Sequence, residues 1–290
     1  MDGPAGSSTV IGADLVADAT GRGSRTGLWL TELGYQPPDE DRCDIRLGYA
    51  TRTCRLRPDA TNGEALILTG ATPANPCFGV IGAAEGGRHI VTVGGILGDY
   101  PPTDPAGFDE FAASLLTLDI SLALKDAEPL DDPVQFRFPA SVRKRYERLR
   151  DLPTGLIAIG DAVCSFNPVY GQGMTVSAIE ALTLRQALRD GTIDEPRRYF
   201  RAIARTIDNA WDMAVGGDLA FPGVAGRRTA KVRMINAYLP RMFAAAEHDG
   251  ELAKALMEVI SMRAQPQGLL RPDRALRVLR TNLRSRHEAR

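Results

Sequence analysis

Nowhere in the 290 residues does a strand run into G-x-G-x-x-G and a helix, so the chain carries no complete Rossmann-type dinucleotide site. Close cysteine pairs are also missing. Cys43, Cys54, Cys77 and Cys164 are scattered, which excludes the usual zinc and dithiol spacings and leaves buried thiols as the expectation. His89, His248 and His287 fall in no ligand spacing, so no metal site is expected. His89 lies in the strand-like GGRHIVTVGG, where a structural role is preferred and a sheet-facing or substrate-domain role is the alternative. Neither sign of charge dominates: 35 Lys and Arg stand against 36 Asp and Glu, a formal net charge of −1, so there is no global case for a nucleic-acid partner. No apolar run approaches the roughly eighteen residues of a membrane span. The amino terminus has Asp2 and no basic-then-apolar pattern, which argues against a secretory signal and leaves a cytoplasmic location as the default.

What is present is core-forming sequence. Hydrophobic residues make up 44% of the chain, enough for one large or two ordinary domains. The most informative stretch is Gly155 to Met174, GLIAIGDAVCSFNPVYGQGM. Leu156 to Ile159 form a short apolar run bounded by glycines, the pattern of a strand buried on both faces in an α/β sheet. The Gly160-Asp161 pair then places a carboxylate at the strand's carboxyl end, where open α/β sheets bind ligands and where it can accept hydrogen bonds from a polyhydroxyl chain. A helix is expected from about Gly173 to a stop at Gly191, with Met174, Ile179, Leu182, Leu184 and Leu188 on one broad apolar face. Its first amides and dipole suit an anionic or electron-rich group, and Gly171 and Gly173 on either side of Gln172 let a flat ring approach the backbone. The plain alternative is an ordinary turn feeding a core helix. Cys164 lies inside this loop, where a small packing residue is preferred over one near a bound ring.

The words GDAVCSFNPVYGQGM resemble the second FAD fingerprint of the flavin-dependent aromatic hydroxylase class: a Gly-Asp, a Pro several residues on, then Gly-Gln-Gly. The wider wording is similar to a bacterial subgroup of FAD-dependent oxidoreductases that includes polyether-type flavin epoxidases. The resemblance implies that Asp161, following Gly160, holds the ribityl hydroxyls of FAD, while Pro168, Gly171, Gln172, Gly173 and Met174 line the isoalloxazine.

A second segment, Ala13 to Thr26, reads ADLVADATGRGSRT: an apolar strand, Gly-rich backbone and then a helix through Leu28, Trp29, Leu30 and Leu33. It resembles the family's middle motif, which approaches the cofactor pyrophosphate and takes part in nicotinamide nucleotide contacts. That makes Gly21 and Arg25 candidate cofactor residues. Thr20-Gly21 stands where the hydroxylases have Asp-Gly, so NAD(P)H is carried only as a candidate electron donor. Gly21, Gly23 and Gly27 form G-x-G-x-x-x-G, one residue too long for a phosphate loop, and Asp39, Glu40 and Asp41 lie in a Pro-rich polar loop rather than at a strand end.

Members of that family begin with a βαβ unit that binds the FAD pyrophosphate and adenosine ribose. This sequence reads like the carboxyl portion of such a protein. The expectation is that a separate chain supplies the unit, or that the product is truncated and binds its cofactor poorly. The resulting fold class is α/β: an incomplete FAD-binding, glutathione-reductase-like domain with an inserted, mainly antiparallel β-sheet substrate domain and a C-terminal helical region. The corresponding divisions are 1–40 for the segment with the middle motif, 41–150 for the substrate sheet, 151–195 for the Gly-Asp segment and 196–290 for the helical region.

Inside the substrate segment, Asp44 to Leu56, Ala65 to Thr69, Phe78 to Ala83, His89 to Val93 and Phe136 to Phe138 read as strands, the middle pair joined across Glu85-Gly86-Gly87. Phe108 to Leu118 and Leu122 to Ala127 read as short helices. Beyond Gly191, helical patterning covers Pro196 to Val215, Thr229 to Ala246, Glu251 to Met262 and Pro272 to Arg286. Trp211, Asp212, Asp218, Phe221 and Pro222 read as a break that caps the substrate pocket. The arginines of the last helix read as a solvated face rather than a membrane or nucleic-acid stripe.

The resemblance implies an FAD-dependent monooxygenase, a hydroxylase or epoxidase delivering oxygen from a flavin C4a-hydroperoxide to an aromatic or alkene small molecule. No catalytic acid or base is singled out. A reductase of the geranylgeranyl-reductase type, to which Ala19-Thr20-Gly21 is also similar, and a non-catalytic remnant or interaction subunit are the alternatives.

Overall fold

The computed structural model describes residues 10–288; the amino-terminal stretch containing Asp2 lies outside them. In chain order the elements are β1 (Val16–Asp18), α1 (Thr26–Glu32), β2 (Glu40–Arg55), β3 (Leu66–Thr69), β4 (Cys77–Ala84), β5 (Arg88–Gly95), α2 (Pro105–Ala113), α3 (Asp119–Leu124), β6 (Glu128–Pro129), β7 (Val134–Lys144), β8 (Leu156–Ala158), β9 (Cys164–Ser165), α4 (Gly173–Arg189), α5 (Pro196–Asp218), α6 (Ala230–Ala246), α7 (Gly250–Ile260) and α8 (Pro272–Glu288). They form two compact units: one takes the chain up to Asp41, Arg143–Ser165 and Gly171–Ala210, the other Arg42–Val142, Phe166–Tyr170 and the chain from Trp211.

The first unit holds a parallel pair of strands, β1 beside β8, in the register Val16 to Leu156, Ala17 to Ile157 and Asp18 to Ala158. Ile157 and Ala158 are buried, as the apolar run predicted, while Val16 on the partner strand is exposed. The pairing continues one residue further, where Ile159 N–H donates to the Asp18 carbonyl at 3.0 Å. Both strands therefore end together, and the turns that follow them lie side by side. In the same unit, Tyr146 stacks on Phe200 with centroids 4.7 Å apart, and both rings are buried.

The second unit is built on an antiparallel sheet in the order β3-β4-β5-β2-β7, with β6 beside β2. The β4–β5 hairpin has the expected connection, with Ala83 opposite His89. Strand β2 is long enough to serve two cores. Its odd positions Cys43, Ile45 and Leu47 pack with Phe78, Phe138, Leu219 and Phe221. Its even positions Ala50 and Cys54 pack on the opposite face with Val91, Val93, Phe108 and Ile120 from under α2 and α3. Gly79 permits that close cover, since a Cβ there would lie 2.5 Å from Ile120 and 2.6 Å from Leu115. A third cluster joins α6, α7 and α8 through Met242, Leu256, Val259 and Val278.

Besides element ends, where Glu40 and Asp41 belong to β2 instead of a loop and α2 stops at Ala113 instead of Leu118, three details differ from the sequence reading. Trp211 and Asp212 lie inside α5, not in a break; the helix runs on to Asp218, and the turn holding Phe221 and Pro222 follows it. Lys125 to Ala127 leave the helix because Asp126 adopts a positive φ of 62°. Third, the apolar residues of α4 do not form a buried face. Met174, Leu182 and Leu188 are exposed, and its buried residues are Val176 and Glu180.

Candidate functional site

The carboxyl ends of β1 and β8 each carry an acidic residue, and the two acids have opposite environments. Asp18 ends β1, 3% exposed, and is ringed by donors. Its carboxylate accepts the backbone N–H of Thr20 at 2.9 Å and the hydroxyls of Thr20 at 2.5 Å, Ser24 at 2.6 Å and Thr26. Burial pushes this carboxyl upward, but the donors of Ser24, Thr20 and Thr26 together outweigh it and hold the pKa at about 2. An Asp18 ionised at neutral pH thus draws the Thr20–Thr26 loop into shape, and Gly21 within it takes a φ of 72°.

Asp161 follows β8 and is left free for other partners. It is exposed, and among the described residues no donor hydrogen-bonds to its carboxylate. Depletion of water around it raises its pKa, while the Arg22 guanidinium works in the opposite direction. Gly21 faces it directly: a Cβ on Gly21 would sit 3.9 Å from the Asp161 Cβ. Arg25 is exposed on the same loop.

Helix α4 fastens the Gly160-Asp161 turn. The buried Glu180 carboxylate accepts the Gly160 N–H at 2.6 Å. Gly160 has a φ of 65°, and a Cβ there would stand 3.0 Å from the Ser177 hydroxyl oxygen. That hydroxyl in turn donates to the Gly173 carbonyl at 3.0 Å. Glu180 thus bonds the Gly-Asp turn to α4, and the absence of a Cβ at Gly160 lets the turn pack closely against Ser177 in the first turns of the helix. Burial is the main reason that Glu180 has a pKa of about 7, the Gly160 N–H lowering it and the Asp161 charge raising it.

The helix begins at Gly173, as expected, and its Gln172 cap position makes no side-chain capping bond to the first-turn amides. A Cβ on Gly171 or Gly173 would meet nothing within 4 Å, and Met174 is 86% exposed, so the backbone here faces open room. Gln172 is buried. These features fit a flat ring lying against backbone, with a hydroxylated chain reaching Asp161.

Pro168 is exposed and belongs to the second unit. Its short loop is anchored by Asp218, whose carboxylate accepts from Asn167 Nδ2 at 2.9 Å and from the Tyr170 hydroxyl at 3.0 Å. Asp218 is fully buried, and burial lifts its pKa to about 6 against those two hydrogen bonds. Gly217 admits Tyr170, whose hydroxyl oxygen would be 2.3 Å from a Cβ there.

Sequence reasoning missed Asp18, Ser177 and Glu180. Asp18 had a readable signal in the Thr, Ser and Thr at +2, +6 and +8, which can converge on one carboxylate. The four cysteines are free and buried. Among the described residues no His, Cys, Asp and Glu group is arranged to hold a metal, and no helix is long and apolar enough to cross a membrane.

No family model matches the chain. It is similar to Protein Rv3254 of Mycobacterium tuberculosis, 35% identical over 260 residues that make up 87% of this chain and 54% of that protein. The chain thus spans about half the length of the curated relative it matches. Among solved structures it resembles the flavin-dependent brominase Bmp2, with a TM-score of 0.59 at 13% identity, covering 86% of this chain and 57% of that one. A flavoprotein/dehydrogenase from Cytophaga hutchinsonii gives a TM-score of 0.60 at 14% identity, over 94% and 62%. CmlS, a flavin-dependent halogenase, gives 0.57 at 16%, over 89% and 51%. The fold, α/β with a mainly antiparallel sheet and helices, is the one these flavoproteins have.

Proposed function

We propose that the chain is the larger part of an FAD-dependent oxidoreductase, a monooxygenase that hydroxylates or epoxidises an aromatic or alkene small molecule. The observation carrying this reading is the uncommitted Asp161 carboxylate, opposite Gly21 on a turn that Glu180 bonds to α4. The brominase, the halogenase and the dehydrogenase have different printed activities and a flavin in common, and the flavin is what this reading takes from them.

FAD, when bound, would supply two-electron redox chemistry and the activation of dioxygen. The protein's own residues bind and orient it. Asp161 would accept hydrogen bonds from the hydroxyls of the ribityl chain. The amides at the start of α4 offer donors to the electron-rich edge of the ring. Gly171, Gly173 and Gly21 would leave room for the ring, and Gln172, Met174 and Arg25 complete the set assigned to the cofactor in the first unit. NAD(P)H is the proposed electron donor. A βαβ unit supplied by a further segment or a separate chain would pair with the β1–β8 strands and seat the adenine half.

Titration of the purified chain with FAD and riboflavin, followed by quenching of flavin fluorescence, tests the assignment. Saturable binding is expected, weakened about tenfold or more by Asp161→Ala because a charge-assisted hydrogen bond is lost. Binding unchanged in that variant would overturn it. A reductase is the second reading, favoured by Thr20, whose hydroxyl is spent on Asp18 where the hydroxylase pattern has an acid. Incorporation of labelled dioxygen into an alkene probe supports oxygen transfer; saturation of the alkene without label supports reduction.

A further inference from the structure

Before β8, at the opposite end of the strand from Asp161, the first unit has a groove of about 1040 Å³ whose lining includes Arg150, Arg197, Arg198, Arg201, Arg205 and Tyr35. Five guanidinium groups share it with two acids, Asp151 and Glu195. Glu195 lies 3.9 Å from Arg198, and among the described residues the other four arginines make no ion pair. Arg197, Arg201 and Arg205 recur every four residues, one stripe along the first turns of α5, with steps of about 6 Å.

Packing does not account for this arrangement. Like charges four residues apart weaken a helix, and all five side chains are exposed, so the stripe contributes nothing to a core. A solvated face would normally alternate acids with bases; here the bases converge on a concavity of the size that holds small ligands. The amino end of the 23-residue α5 opens into the same groove at Pro196 and adds the positive end of its dipole. Tyr35 supplies the aromatic surface in the lining.

We infer that this groove is a binding site for a nucleotide-sized organic phosphate, whose phosphoryl groups lie along Arg197, Arg201 and Arg205 and whose aromatic base rests against Tyr35. The planar fork of each guanidinium matches phosphate oxygens in pairs, which a lysine would not do. The site lies apart from the residues assigned to the flavin and stands whether or not that assignment holds.

Isothermal titration of the purified chain at low ionic strength tests it, with ADP, NADPH and inorganic pyrophosphate as probes. ADP or NADPH is expected to bind saturably, and added salt to weaken it. The double variant Arg201→Glu, Arg205→Glu should lower affinity by about tenfold or more, since two charge-assisted contacts are reversed. Arg197→Gln is the milder variant, and circular dichroism confirms that each is folded. Tyr35→Ala should weaken ADP and spare pyrophosphate, and saturating riboflavin should leave ADP affinity unchanged. NADPH stronger than ADP would name the electron donor as the source of the phosphate, and ADP equal to NADPH a free nucleotide. No saturable binding of any probe, equal affinity in the charge-reversed variant, or stronger binding to duplex DNA or phosphatidylglycerol vesicles would overturn the inference.

Discussion

The Glu180 carboxylate accepts the backbone N–H of Gly160 at 2.6 Å, joining two buried groups twenty positions apart in the chain. A helix that reads from its sequence as an apolar ridge thereby spends an acid on the inside, holding the turn on which Asp161 depends.

That acid should make stability depend on pH in a defined direction. Its folded pKa of about 7 lies above its ordinary value of 4.5, so the native state holds the extra proton, and this contribution falls as pH rises from 4.5 through 7. The loss over that window is on the order of 3 kcal/mol. Glu180→Gln keeps an acceptor for Gly160 and removes the buried charge. Urea unfolding should find it more stable than wild type at alkaline pH, with the gap closing below the window. A constant gap at every pH would refute the account.

Asp18 has the opposite sign. Its folded pKa of about 2 lies below the ordinary 3.8, so its contribution is complete above 3.8 and disappears as pH falls through 2. Replacing it with Ala strands the Thr20, Ser24 and Thr26 donors around a void. The expected cost at neutral pH is about 2–3 kcal/mol, measured by denaturant midpoint, with loss of the acid-side dependence.

Gly21→Ala separates binding from folding. The positive φ makes any side chain cost about 1–2 kcal/mol, and the new methyl points toward Asp161. Flavin affinity should fall while the chain still melts cooperatively. Retained affinity would place the ring elsewhere.

Association is the fourth expectation. The parallel pair β1–β8 has free edges among the described residues, and Leu28, Leu33, Leu182 and Leu188 of the same unit are exposed. Parallel pairs are ordinarily buried on both faces, so the isolated chain should self-associate or bind a complementary segment. Sedimentation should show oligomers that Leu182→Glu with Leu188→Glu reduces. A concentration-independent wild-type monomer would contradict this.

Local chemistry was readable where one kind of residue has one job. The strand–Gly-Asp–helix order, the β4–β5 hairpin and the start of α4 at Gly173 all follow from apolar runs, turn glycines and helix-stop signals. Tertiary placement was not readable in the same way. Periodicity assigns Leu182 to the apolar face of α4, yet Leu182 is exposed and the buried position goes to Glu180, which accepts from the turn at Gly160. The sequence places Trp211 and Asp212 at a break, yet α5 continues through them with Trp211 buried and Asp212 pairing with Lys231. The converging hydroxyls around Asp18 required knowing that a short loop folds back over the strand it leaves.

The four cysteines have a practical consequence. Burial raises all four thiols, Cys43 to about 11 and Cys77 to about 12, where the Cys77 thiol also donates to Asp99. Thiolate is the reactive species, so alkylating and maleimide reagents at neutral pH should pass the folded molecule by. A single cysteine introduced on an exposed face would then take a fluorophore or spin label without removal of the native four, giving a reporter on a background silent until the protein unfolds.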